Sequence, residues 1–176
     1  MTLVDSSQLK PWMDGGQWGE VFRNLHKTTV YPGVKEALNE LHDLGIECAI
    51  ASNAPKGYIE KILKYHKINF SYIVGYHDVS MKKPSPESID KCISHFNLQS
   101  NECVYIGDNE SDYLTANNAG VKFYGVEWGE FAHLQVSKFN YFDFVKDVLG
   151  LVDTSLEDNV INNDFIVNQN NHYYIG

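Results

Sequence analysis

The sequence is poor in several things, and each shortage excludes a class of protein. Its 176 residues hold 3 cysteines, Cys48, Cys92 and Cys103. They are scattered singly among apolar neighbours, which rules out a disulfide framework or a zinc site and suits small core residues in a reducing compartment. Basic residues are short too: 14 Lys+Arg stand against 23 Asp+Glu, a formal charge of −9. A protein that grips a nucleic-acid backbone needs a basic face, so no nucleic-acid partner is expected. No apolar run is long enough to span a bilayer, and none is expected to meet a membrane. The first residues, MTLVDSSQLKPWMDGG, lack the basic and apolar regions of a secretory signal, and a cytoplasmic location is expected. The seven histidines show no metal-ligand spacing.

What is present is an alternation of helix and strand patterns. With 43% hydrophobic residues, the chain can bury a core. After the turn Pro32-Gly33, the apolar residues Val34, Ala37, Leu38, Leu41 and Leu44 repeat at helical spacing, and Gly45 is placed to end the helix. Ile46–Ala51 is a short apolar strand. Pro55 opens a second helix that carries Ile59, Ile62 and Leu63. Strand Tyr72–Gly75 follows, then a loop through Lys82-Lys83-Pro84-Ser85-Pro86, and a helix from Pro86 to Phe96. Cys103–Ile106 is a third apolar strand, Glu110–Ala119 a helix closed by Gly120, and Val121–Val126 a fourth strand. A last helix is expected over Phe142–Leu149. Short continuous apolar strands between helices predict an α/β fold: a parallel sheet covered on both faces, in three Rossmann-like layers. Residues 31–150 form this core, residues 1–30 are a separate front segment, and residues 151–176 are a peripheral tail. Six asparagines lie between Asn159 and Asn171 in that tail, with Phe165-Ile166-Val167 as its possible edge strand.

In an open parallel sheet, ligands bind beyond the carboxyl ends of the strands. There this sequence places Ser52 and Asn53 after one strand, and Asp108 and Asp112 after another. Lys83 stands in the loop that follows a third. Taken singly, each has a plain structural reading: a turn pair, a solvated lysine, a helix cap. Together they offer a hydroxyl and an ammonium for phosphoryl oxygens, and two hard carboxylates for Mg²⁺.

These motifs resemble the haloacid dehalogenase (HAD) superfamily, in its phosphoglycolate-phosphatase-like branch. Ile50-Ala51-Ser52-Asn53 looks like the family's second motif, Lys83-Pro84-Ser85-Pro86 like K-P-x-P, and Gly107-Asp108 through Asp112 like G-D-x-x-x-D. Tyr31-Pro32-Gly33-Val34 looks like the opening of the helix before the second motif. The resemblance implies a Mg²⁺-dependent phosphatase of a small phosphorylated metabolite. Ser52 and Asn53 would hold the phosphoryl group, Lys83 would neutralise it, Asp108 would bind Mg²⁺, and Asp112 would bind or orient the ion's waters. It also implies an aspartate nucleophile from a D-x-D motif, and no D-x-D occurs in this sequence.

Two readings of the front segment stay open. In one, Met1–Val4 is a short first strand and Asp5, 27 residues before Pro32, is the nucleophile. In the other the first strand is absent, and Trp12–Lys27, helical by the spacing of Trp18, Val21, Phe22 and Leu25 and broken upstream by Gly15-Gly16, is the remnant of a reduced cap. The vacated central position of the sheet would then be filled by Phe165–Val167, by Met1–Val4 or by another chain. The Trp12/Trp18 segment would pack on the core or meet a partner chain or second copy. The alternative to an enzyme is a HAD-fold binding or regulatory module, or one part of a split enzyme.

Overall fold

A computed structural model describes residues 2–131, 134–136, 138–139 and 173–175. The elements run β1 (Val4–Asp5), α1 (Lys10–Asp14), α2 (Trp18–Arg23), β2 (Thr29–Val30), α3 (Val34–Asp43), β3 (Cys48–Ala51), α4 (Lys56–His66), β4 (Tyr72–Val74), α5 (Glu87–Phe96), β5 (Val104–Asn109), α6 (Glu110–Ala119), β6 (Lys122–Glu130), β7 (Lys138–Phe139) and β8 (Tyr173–Ile175). Six strands form one parallel sheet in the order β4-β3-β8-β5-β6-β7.

The alternation of side chains along the strands divides the core into two layers. Cys48 and Ile50 of β3, with Val104 and Ile106 of β5, meet α3, α4 and the front segment. Ala49 and Ala51, with Tyr105, face α5 and α6 on the other side. Helices α3, α4 and α5 form because their apolar residues fall on one stripe. Leu41 of α3 is fully buried, as is Cys92 of α5. Truncating a leucine so placed costs about 2–5 kcal/mol. Helices α3 and α6 end where left-handed backbone is cheap: Gly120 closes α6 at φ 67°, and Gly45 follows α3 at φ 74°, whereas Lys67 and Asn97 take that conformation after α4 and α5. Pro55 sits one position outside α4, as its N-cap, instead of at the first helical position.

The centre of the sheet departs from the expected tail. β8 pairs with β3 on one side (Ile50 opposite Ile175) and with β5 on the other (Ile106 opposite Ile175). The C-terminal segment, peripheral by its composition, therefore supplies the central strand through Tyr173–Ile175. The reason is the backbone: β3 and β5 each present a row of N–H and C=O groups to the gap between them, and buried backbone groups must be paired. The expected helix over Phe142–Leu149 and the expected strand Phe165–Val167 lie outside the described residues.

The front segment also differs in detail. Val4–Asp5 pairs antiparallel with Thr29–Val30 in a separate two-stranded ribbon and stays out of the main sheet. Trp12–Lys27 divides at the expected glycine break. α1 ends at Gly15-Gly16, with Gly16 in the left-handed region at φ 65°, and α2 starts at Trp18. Trp12, Met13, Trp18 and Phe22 pack against the core layer that contains α3 and α4. Trp18 lies 5.9 Å from the Tyr58 ring, and the Lys27 ammonium sits 4.9 Å over the Trp12 ring. No helix among the described residues is long and apolar enough to cross a membrane.

Candidate phosphate site

The carboxyl ends of β3 and β5 converge on one cavity of about 340 Å³. Ser52 leaves β3 with its N–H donated to the Val74 carbonyl (2.9 Å), which keeps it aligned with the neighbouring strand. Its Oγ accepts from the Ala54 N–H at 3.2 Å. The Asn53 side-chain oxygen accepts from the Lys83 N–H at 3.2 Å, tying the lysine loop to the end of β3.

Lys83 is the buried centre of the arrangement. Its ammonium donates to Asp112 Oδ1 at 2.6 Å and to Tyr105 Oη at 2.5 Å, with 7% of the lysine side chain and 4% of the aspartate side chain exposed. A pair taken this far out of water persists only with its hydrogen bonds satisfied. Here they are. The other Asp112 oxygen accepts from the Asp108 N–H at 3.1 Å, and the Asp112 N–H donates to Asn109 Oδ1 at 3.1 Å, capping α6. Tyr105 in turn donates its O–H to the Ala51 carbonyl at 3.1 Å. Burial, then the charge of Asp112, pushes the phenol well above its usual range, so it stays a neutral donor. Gly107 makes this closeness possible: a Cβ there would fall 2.3 Å from the Asp112 Cβ.

Asp108 is half-buried at the cavity, and its Oδ1 accepts from Thr2 Oγ1 at 2.9 Å. Thr2, Leu3 and Val4 complete the cavity from the front segment. Asp5 does not join them. Its carboxylate accepts the Ser7 N–H at 2.9 Å within its own turn, and that hydrogen bond draws it below the usual carboxylate range. It is not among the residues that line the cavity. The structure thus gathers Ser52, Asn53, Lys83, Asp108 and Asp112 in one place and leaves Asp5 on the separate ribbon. Tyr105 and Thr2 were not legible as site residues. A tyrosine inside an apolar strand carries no motif, and a threonine before a short apolar run reads as packing.

The donor chemistry admits Mg²⁺ at one carboxylate. The ion accepts one or two carboxylates with water and phosphate oxygens completing its shell. Asp108 offers a carboxylate at the cavity, whereas both Asp112 oxygens are engaged by Lys83 and by the Asp108 N–H. No cluster of three metal-ligating side chains occurs among the described residues. The arrangement sets a hydroxyl, an oriented ammonium and a carboxylate side by side at the carboxyl edge of a parallel sheet.

Such a fold, with polar side chains gathered at its carboxyl rim, defines a three-layer α/β protein. The comparisons make it specific. Residues 12–126 match the model of the haloacid dehalogenase-like hydrolase family, and the chain belongs to that family. A phosphoglycolate phosphatase of Vibrio vulnificus strain CMCP6 is 33% identical over 138 residues, covering 74% of this chain and 60% of that protein. A phosphoglycolate phosphatase of Pseudomonas fluorescens strain Pf0-1 is 34% identical over 104 residues, 58% of this chain and 38% of that one. The chain therefore spans less than two thirds of these relatives. A crystal structure of a predicted phosphoglycolate phosphatase from Haemophilus somnus 129PT superposes with a TM-score of 0.67 at 24% identity, over 75% of this chain and 64% of that one, and shows the shared fold.

Proposed function

We propose that this chain holds the phosphate-binding part of a HAD-type phosphohydrolase site, for a small phosphorylated metabolite and with Mg²⁺ as cofactor. The observation that carries the reading is the Lys83–Asp112–Tyr105 cluster. It uses two of the three ammonium donors and leaves the third for a phosphoryl oxygen. Ser52 Oγ and the Asn53 region would meet the remaining oxygens, and Asp108 would hold Mg²⁺. The ion would neutralise phosphoryl charge as it develops. Asp112 acts through others: it fixes the direction of the lysine and the backbone of Asp108.

Hydrolysis through a covalent intermediate needs a carboxylate whose oxygen attacks phosphorus while the ester oxygen departs with a proton; water then frees the phosphate. For Asp5 to serve, it would have to release the Ser7 N–H and reach the cavity. A second reading has this observation in its favour. Asp108 and Asp112 are the only acids among the described residues that line the cavity. On that reading the chain binds phosphate without hydrolysing it, or a partner strand supplies the nucleophile.

One assay separates the readings: release of phosphate from an aryl phosphate with Mg²⁺ by wild type, Asp5→Asn and Asp108→Asn. Activity lost in both variants supports Asp5 as nucleophile. Activity that survives Asp5→Asn and vanishes in Asp108→Asn supports the site without that role. An inactive wild type that still binds phosphate supports the binding module or the split enzyme.

A further inference from the structure

Asp108 is the residue on which the cation reading depends, and its backbone is fixed on two sides. Its N–H donates to Asp112 Oδ2 at 3.1 Å. Its carbonyl lies against β6, so close that a Cβ on Gly129 would fall 2.8 Å from the Asp108 oxygen. What remains is the turn of the carboxylate itself. The terminal torsion of an aspartate is broad and has no sharp staggered wells, so the backbone alone does not aim the oxygens. An ionised carboxylate only accepts hydrogen bonds, so the Thr2 hydroxyl, 2.9 Å from Asp108 Oδ1, is the donor that holds it.

Thr2 is itself anchored. It is 5% exposed, and Leu3 and Val4 after it belong to the buried core. The Leu3 carbonyl accepts the Tyr31 N–H at 3.1 Å, and Val4 pairs with Val30 across the ribbon. The Tyr31 ring stacks on Trp128 of β6, with centroids 4.0 Å apart. β6 therefore supports both partners of the bond, Asp108 through Gly129 and Thr2 through the ribbon. A threonine hydroxyl commonly satisfies itself on backbone groups nearby in sequence. This one reaches a carboxylate 106 residues away.

We propose that Thr2 is a positioning residue of the cation site: its hydroxyl fixes the rotation of the Asp108 carboxylate and so raises the affinity of that carboxylate for a divalent cation. Carboxylates that hold a metal are themselves held by hydrogen bonds, and losing such a partner weakens metal binding about 10–100-fold. The proposal rests on the reading of Asp108 as the Mg²⁺ residue. It gives the front segment a part in the site that does not depend on Asp5.

The test measures cation binding with no substrate and no turnover. The full chain is titrated with Mn²⁺, a hard ion that takes the same carboxylate and water ligands as Mg²⁺, and the free ion is followed by electron paramagnetic resonance, with Mg²⁺ as competitor. Thr2→Val exchanges the hydroxyl for a methyl of similar size and should weaken Mn²⁺ about tenfold, as should Thr2→Ala. Thr2→Ser keeps the hydroxyl and should bind within about twofold of wild type. Asp108→Asn should nearly abolish binding. Wild-type affinity in Thr2→Val and Thr2→Ala overturns the proposal and leaves the cation reading standing. A loss in Thr2→Ser as large as that in Thr2→Val also overturns it, because the hydroxyl would then not carry the effect. Binding that Asp108→Asn leaves unchanged, or no binding to wild type, overturns the cation reading and the proposal together.

Discussion

Two acids of this molecule, Asp5 and Asp112, are held in opposite ways. Asp112 is 3% exposed, and its oxygens are divided between the Lys83 ammonium and the Asp108 N–H. Asp5 lies on a two-residue ribbon, its carboxylate accepting from its own turn. The difference comes from the elements that carry them. Asp112 is in the first turn of a helix that begins directly beyond a central strand, so Gly107 and Asn109 can draw it inward. Asp5 ends a strand that stays out of the main sheet. An acid becomes part of a site when the backbone beneath it is fixed by the core; being near the cavity in sequence is not enough.

The comparison can be broken from its strong side first. Asp112→Ala leaves the Lys83 ammonium buried without its counter-charge, and unfolding in urea should show a loss of about 3–5 kcal/mol. Gly107→Ala should cost about 3 kcal/mol by the same measurement, because its Cβ would overlap the Asp112 side chain and force the β5–α6 turn apart. Tyr105→Phe removes the hydroxyl that joins Lys83 to the end of β3, a loss of about 1–2 kcal/mol.

The same phenol makes a prediction about alkaline pH. Its folded-state pKa is raised, so the unfolded chain ionises first. Stability from this group is complete below the ordinary phenol range and falls as pH rises above it. Wild type should lose stability there more steeply than Tyr105→Phe. Asp5→Asn is the smallest change, within about 0.5 kcal/mol at neutral pH for a half-buried residue whose carboxylate hydrogen bond lies at the surface. Its sign is opposite: the folded pKa is lowered, so its small contribution is present above the ordinary carboxylate range and is lost as pH falls through the folded value. A loss from Asp5→Asn as large as that from Asp112→Ala would erase the contrast.

How much of this was legible in the sequence follows the same division. Ser52, Asn53, Lys83, Asp108 and Asp112 stand at the ends of strands that announce themselves by short apolar runs between helices, so their convergence could be read before any coordinates. Helices α3, α4 and α5 follow from apolar stripes, and the ends of α3 and α6 from glycine stops. β8 was hidden because three residues, Tyr173–Ile175, leave too short a pattern within an asparagine-rich tail. The gap they fill was legible only as a gap. The break between α1 and α2 was marked by Gly15-Gly16, but the helical spacing of Trp18, Val21, Phe22 and Leu25 masked how short each helix is. Tyr105 was invisible for another reason: its ring belongs to the core, and only its hydroxyl belongs to the site.

The central claim is that Ser52, Lys83 and Asp108 form one phosphate-holding site at the carboxyl edge of the sheet. The most direct test follows the ³¹P resonance of inorganic phosphate, with Mg²⁺, against wild type, Ser52→Ala, Lys83→Ala and Asp5→Asn. The account predicts saturable binding to wild type and to Asp5→Asn, weakened about tenfold by Ser52→Ala and nearly abolished by Lys83→Ala. Phosphate binding that Lys83→Ala leaves unchanged would contradict it.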